Sequence, residues 1–544
     1  MTQSSPRCFR ALLAAATLLL AIPISCSRPH TGDRWWAHVR WLADDARKGR
    51  GTGTRGYQAA ADYVAREFRV AGARPGGTVG FFQPVRFSGR RIRERECRLA
   101  LVRDGRVDSL TLGADAIFST SYDPPPGLIE ADAVFVGYGL QIPEYGHDDL
   151  AGIDLRGKIA VILRGGPESL PANVRAHGQN GGERWKRLRA AGAIGFVTLM
   201  DPTHLSTSWE RYIRNRFTWN YGLADSSLDE YHGIRFRISV NPASSERFFE
   251  GTGHTFAEIL AASRRGDPLP HFPLRNRIRA RMRIDRAMAT SPNVVGIIDG
   301  TDPSLKKEMV VLTAHLDHLG IGTPVKGDSI YNGAMDNAAG AATLIEIART
   351  LGGARVKPRR SIVLVALAAE EEGLLGSRAF AAHPPPAIGT MVANLNLDMF
   401  LPIVPFRSTV AFGMEESTLG ERYRALAESS GVFVAPDPAP RETYFIRSDQ
   451  YNFVRAGVPA LFVEFAGMPA DSTLEKRLTQ WKKEFYHAPT DDTRQHVDLA
   501  AAAAFNRLLT RFAENVANER ERPVWNQGSY FARFARGGRV AAAP

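Results

Sequence analysis

Cysteine is scarce in this 544-residue chain, with three residues at positions 8, 26 and 97. That excludes a disulfide-stapled scaffold and any zinc site built from four thiolates. Long apolar runs are scarcer. Beyond one short stretch near the amino terminus, nothing approaches the roughly 18 consecutive apolar residues of a membrane-spanning helix. Internal repeats are absent. The 50 glycines and 33 prolines are too few for a collagen-like or low-complexity chain. Acidic residues are outnumbered 57 to 69, for a net charge of +12, which permits an anionic partner without naming one. The basic run from Arg90 to Arg98 alternates with Glu94 and Glu96, as a solvated strand does. No aromatic-and-basic motif accompanies it, so nucleic acid is not an expected partner. The composition that remains is ordinary, 44% hydrophobic and 23% charged, and the length suits several domains.

The amino terminus reads as a targeting segment. Arg7 and Arg10 precede the apolar run Ala11 to Ile24. At about 1.5 Å per residue that run reaches roughly 21 Å, short of a hydrocarbon core of about 30 Å. A charged start, a short apolar stretch and small residues after it describe an export signal over residues 1–26. Ser25-Cys26 resembles a bacterial lipoprotein box, although Pro23 departs from the aliphatic residue usual there. Export to the periplasm or cell surface with a lipid anchor on Cys26 is the expectation, and plain secretion is the alternative. An acylated Cys26 leaves Cys97 alone, with no intrachain disulfide.

Beyond the leader, strands and helices alternate. Residues 56–71 place Tyr57, Ala60, Ala61, Val64, Phe68 and Ala71 at helical spacing before Gly72. Ala131 to Gly139, Lys158 to Leu163 and Gly195 to Met200 read as buried strands, and Arg184 to Ala191 as a helix. The Pro-rich stretch Gly266 to Phe272 marks a boundary. Past it, Met309 to Ala314, Ser361 to Ala368, Val392 to Leu397 and Val458 to Phe465 predict strands, with helices near 337–351 and 498–516. This order predicts an α/β fold with a mostly parallel sheet sandwiched by helices.

The chemistry sits at the ends of those strands, where open α/β sheets bind ligands. AHLDHLG, residues 314–320, brings His315, Asp317 and His318 to one strand end. NGAMDNAAG, residues 332–340, carries Asp336 among small residues; alone, that aspartate could simply cap the following helix. AAEEEGLLGS, residues 368–377, follows a wholly apolar strand with three adjacent acids, costly unless something cationic neutralises them. Asp398 ends NLNLDMF, and His487 lies in YHAPTDD. Singly each is bland. Together, histidines and several carboxylates make a set of ligands that zinc accepts.

In this order, HLDH, GAMDNA, AAEEEG, NLDM and YH-x-PTDD resemble the co-catalytic zinc peptidases of the bacterial leucyl aminopeptidase, aminopeptidase Y and glutamate carboxypeptidase type. The resemblance covers most of residues 30–515. It implies two zinc ions per chain: His315 and Asp398 on one, Glu371 and His487 on the other, with Asp336 bridging. It implies Glu370 as general base and Asp317 as the acid that orients a ligand histidine. Residues 116–272 resemble the protease-associated domain, β-rich and α+β, found inserted in such peptidases. Residues 30–115 and 273–518 would then form the peptidase domain, with 519–544 as a surface tail. Met335 replaces an aspartate common in relatives, at a position that is not a ligand. Gln450 and Ile446 stand where relatives often carry His and Tyr, and with Tyr444 they are expected in the substrate pocket.

The implied activity is amino-terminal exopeptidase cleavage of peptides by a two-zinc, bridging-water mechanism. A carboxypeptidase acting on acidic carboxyl termini is the alternative, for which Arg441 and Arg447 could serve. A catalytically dead binding module is disfavoured, because all five ligand positions and Glu370 are present. Oligomeric state and side-chain preference are not legible.

Overall fold

The computed structural model describes Met1 and residues 31–204, 208–467 and 472–535. The expected leader, with Cys8 and Cys26, and the end of the tail lie outside the described residues.

Four apolar segments build the centre. Glu308–His315, Ser361–Leu367, Thr390–Leu397 and Ala460–Phe465 are strands buried over most or all of their length. They run parallel, with Glu308–His315 between Ser361–Leu367 and Thr390–Leu397, and Ala460–Phe465 beyond the latter. Successive side chains of a strand point to opposite faces. Thus Met309 and Val311 pack with Phe380 and Phe453 on one face, while Val310, Leu312 and Ala314 join the large core under the helices. Those helices are Thr31–Leu42, Arg55–Val70, Ala339–Gly352 and Leu499–Asn518. Arg55–Val70 starts where Thr54 Oγ1 accepts the Tyr57 N–H at 3.2 Å, a side-chain cap for an otherwise orphaned donor.

The sheet is parallel only in this middle. Ile284–Ile298 pairs antiparallel with Ser361–Leu367, and Phe82–Ile92 pairs antiparallel beyond it. On the other side Ser408–Phe412 runs antiparallel to Ala460–Phe465. A parallel pair needs a crossover, usually a helix. The links at 299–307 and 398–407 contain no helix, and there the chain reverses direction. The expectation of a mostly parallel sheet therefore becomes a mixed sheet with a parallel core.

A second sheet occupies the segment expected as an insert. Ala116–Phe118, Ala133–Val136, Ile159–Leu163, Gly195–Leu199, Phe236–Val240 and His271–Pro273 form six strands whose apolar core continues into Phe412, Phe445, Tyr451 and Phe462 of the later chain. The segment is not self-contained. Asn220–Leu223 leaves it and pairs antiparallel with Phe87–Arg90, becoming an edge strand of the larger sheet. Residues of the tail also pack inward. Trp525 is buried with its indole N–H on the Gly457 carbonyl, and Phe531 is buried against Phe445. Among the described residues, no helix is long and apolar enough to cross a membrane.

Candidate metal centre

The carboxyl ends of the parallel strands converge on one set of side chains. His315 is the last residue of its strand, Asp398 directly follows Thr390–Leu397, and Glu370 and Glu371 follow Ser361–Leu367. Asp336 enters from the turn before Ala339–Gly352, and His487 from the loop after the helix Ser472–Glu484. Three of these loops bend through left-handed backbone at non-glycine residues: Ala369 at φ 55°, Met399 at 50° and His487 itself at 52°. Such conformations persist where the surroundings over-determine them, and they cluster at functional sites.

The geometry divides at Asp336. Its Oδ1 lies 3.2 Å from His315 Nε2, which also lies 3.1 Å from Asp398 Oδ1. Its Oδ2 lies 3.4 Å from His487 Nε2, which lies 3.1 Å from Glu371 Oε2. One carboxylate thus offers an oxygen to each of two clusters, and the five expected ligands come together. His318 belongs to the second cluster as well, with Nδ1 2.6 Å from Glu371 Oε1 and 3.9 Å from Asp336 Oδ2.

The donor set fits a divalent cation of the zinc type. Imidazole nitrogens and carboxylate oxygens lie within 4.8 Å of one another in each of two groups, His315–Asp336–Asp398 and His318–Asp336–Glu371. The site also carries excess negative charge. Burial and the charges of Asp398 and Glu371 push Glu370 well above the usual carboxylate range, although His315 pulls the other way. Burial alone would lower His315, yet Asp398, Glu370 and Asp336 hold it well above an ordinary imidazole. His487 is opposed by burial in the same way and raised to about 10 by Glu371 and Asp336. The surrounding acids thus hold both imidazoles toward their charged forms.

Several supports fix the ligands. Ser448 donates to Asp398 Oδ2 at 2.6 Å. Asp317 behaves differently from the expectation. His315 Nδ1 lies 3.1 Å from its backbone carbonyl, whereas its carboxylate is 3.9 Å away and instead accepts the amide N–H groups of Glu370 and Glu371. Asp317 therefore positions Glu370 and Glu371 through their backbone, and burial raises it to about 6. Asp491 accepts the N–H groups of Met335 and Asp336, holding the bridging residue by its main chain. Arg50 is wholly buried and donates to the carbonyls of Leu316, Asn332 and Gly333, pinning the loops of His315 and Asp336 to the amino-terminal segment.

A cavity of about 510 Å³ opens onto Asp336, Glu370, Asp398 and His487. Tyr444 lines it as expected, but Ile446 and Gln450 do not. Ile446 is buried in the neighbouring core, and Gln450 is fully buried, donating to the Tyr444 and Phe445 carbonyls and accepting from Asn396. Both hold the loop from beneath. Arg447 lines the cavity and pairs with Glu442 at 2.9 Å, while the side chain of Arg441 is outside the described residues. Arg211 reaches in from the second unit, donating to the backbone carbonyls of Lys483, at 2.9 Å, and Tyr486, so it braces the loop of His487.

Residues 293–513 match the model of peptidase family M28. This stretch is similar to that family. The M28 segment contains every residue of both clusters. Aminopeptidase NAALADL1 of Rattus norvegicus is 32% identical over 301 residues, covering 47% of this chain and 36% of that protein. The glutamate carboxypeptidase 2 homolog of Caenorhabditis briggsae is 23% identical over 469 residues, 72% of this chain and 55% of that one. The chain thus spans about a third to a half of the length of these curated relatives. Among solved structures, the aminopeptidase from Aneurinibacillus sp. strain AM-1 superposes with a TM-score of 0.52 at 19% identity, over 90% of this chain and 95% of that one. That likeness shows a shared fold extending well beyond the M28 segment.

Proposed function

We propose that the protein is a zinc-dependent exopeptidase that removes amino-terminal residues from peptides. The observation that carries it is Asp336, one oxygen in each of two histidine–carboxylate clusters, with Glu370 on the wall of the adjoining cavity. His315, Asp398 and Asp336 would hold one zinc ion, and Glu371, His487 and Asp336 a second. Zinc held there supplies Lewis acidity, polarising a carbonyl and acidifying water. Glu370 takes the proton of the attacking water on its carboxylate and delivers it to the leaving nitrogen. His318 and Asp317 keep Glu371 and the Glu370 backbone in register. The aminopeptidase names among the relatives, and the fold shared with a solved aminopeptidase, support this reading.

Cleavage at the other end of the peptide is the second reading, supported by the glutamate carboxypeptidase relatives and by two cavity guanidinium groups, Arg211 and Arg447. One experiment separates them. A peptide is offered to the purified protein free at both ends, amino-blocked or carboxyl-blocked, with a chelator control. Chelator-sensitive loss of single amino-terminal residues, abolished only by the amino block, is the expected result. Cleavage that survives the amino block but not the carboxyl block establishes the alternative.

Residues 116–272 are read as a protease-associated domain, supported by sequence likeness and by the separate six-stranded sheet there. The protein is further proposed to be exported and anchored by a lipid on Cys26. Metabolic labelling with a radioactive fatty acid tests this, and label retained by Cys26→Ala refutes it.

A further inference from the structure

The cavity beside the metal centre has one anomaly in its wall. Val410 and Phe412 on Ser408–Phe412 stand opposite Glu464 and Phe462 on Ala460–Phe465. Cross-strand partners share a face, so this surface is apolar except for one carboxylate. A buried carboxylate is costly unless paired. Glu464 finds its partner in Lys482, which descends from the helix Ser472–Glu484 with Nζ 3.4 Å from Glu464 Oε2. The ammonium also meets Tyr444, 3.3 Å from the hydroxyl and 4.5 Å from the ring centroid. Only 8% of the Glu464 side chain and 31% of that of Lys482 remain exposed. Both residues line the cavity that holds Glu370, and neither touches a metal-cluster residue in the contacts described above.

The apolar strand face around Glu464 needs no ion pair for its own stability, since replacing such a pair with hydrophobic residues is often neutral. What a closed pair does supply is discrimination. We propose that Glu464 and Lys482 are the specificity-determining pair of this peptidase. Each cancels the other's charge, so this wall of the cavity accepts an uncharged side chain on the acyl side of the scissile bond, and Arg447, which also lines the cavity, is likewise already paired, with Glu442. A charged side chain of either sign would lose its hydration against this wall and find no unpaired countercharge there to replace it. Specificity commonly rests on such an element that disfavours the wrong ligand. The inference rests on the aminopeptidase reading and names the substrates of that site.

The pair makes opposite predictions for its two halves. Purified, zinc-loaded full chain is assayed with four amino-free p-nitroanilides, of leucine, phenylalanine, lysine and glutamate. Wild type prefers leucine and phenylalanine. Lys482→Met leaves Glu464 unpaired, and the lysine-to-leucine ratio of kcat/KM rises by about tenfold or more. Glu464→Gln frees Lys482, and the glutamate-to-leucine ratio rises by a similar factor. The double variant is neutral again and returns both ratios to near the wild-type values, a non-additivity that general damage would not produce. It also serves as the folded control should a single variant with an unpaired buried charge fail to fold. Ratios that stay fixed while leucine hydrolysis persists overturn the assignment of the pair, as do ratios that move in the same direction in both single variants. Failure of wild type to hydrolyse any of the four substrates overturns the aminopeptidase reading and this pocket with it.

Discussion

Glu370→Gln tests the catalytic assignment and the electrostatics together. Glu370 lines the cavity, and its carboxylate makes no ion pair among the described residues. Its backbone N–H on Asp317 is untouched by the substitution. Glutamine is nearly isosteric, so the fold and the metal ligands should persist. General acid–base catalysis contributes about 10² to 10⁴ in rate. At about 1.36 kcal/mol per tenfold, the loss corresponds to about 2.7 to 5.4 kcal/mol of transition-state stabilisation. Because proton transfer occurs only in the transition state, kcat and kcat/KM should fall equally, with KM unchanged. Stability should move the other way. A carboxyl whose folded pKa lies above its unfolded value opposes folding as pH rises past the unfolded value. Burial, Asp398 and Glu371 place Glu370 in that position, so in the metal-free protein at pH 7 the amide should be neutral or stabilising. Steady-state kinetics on zinc-loaded protein and urea unfolding in chelator read the two effects. Turnover within threefold of wild type would refute Glu370 as the base. A clear loss of metal-free stability would refute the crowding of acids inferred around it.

Other outcomes follow from the same geometry. His487→Ala removes the imidazole that lies 3.1 Å from Glu371 Oε2 and 3.4 Å from Asp336 Oδ2, so native mass spectrometry should show one metal retained and one lost. Asp491→Ala leaves the Met335 and Asp336 N–H groups unpaired, and zinc affinity measured by chelator competition should fall about 10- to 100-fold, the usual cost of a lost ligand support. Zinc binding at pH 7 should release protons, because the acids around His315 and His487 hold them toward their charged forms without metal, whereas as ligands they are neutral. Calorimetry in buffers of different ionisation enthalpy counts them, and zero release would contradict the charge state of the clusters. Sign fixes the pH trend too: as pH falls, protons compete for both imidazoles and zinc affinity declines.

Much of the centre was legible because its residues follow signals that a single sequence carries. A largely apolar strand that stops at acids or a histidine marks a sheet end, and three such ends bring His315, Glu370, Glu371 and Asp398 together. The supports were not legible, because they act across long sequence separations through backbone groups that no side-chain pattern encodes. Arg50 serves Gly333 from 283 residues away, and Asp491 serves Asp336 from 155 away. His318 was visible in its motif, but only the folded geometry places its Nδ1 on Glu371. The antiparallel margins were missed because direction depends on whether a link holds a helix, which apolar periodicity within the strands does not report. Gln450 and Ile446 were misplaced because position relative to a motif does not say which side of a loop faces the cavity.

The strand Asn220–Leu223 has a consequence for anyone who would treat the second unit as a detachable accessory. It caps Phe82–Ile92, while the neighbouring backbone N–H of Tyr221 donates to Glu372, one residue past the expected ligand Glu371. Cutting out residues 116–272 would therefore uncover a long strand flank with unpaired amides, a template for chains to stick to one another. It would also release the acidic loop from its outer tether. A trimmed chain should fail first by clumping and only second by slow turnover, since the two units share this seam.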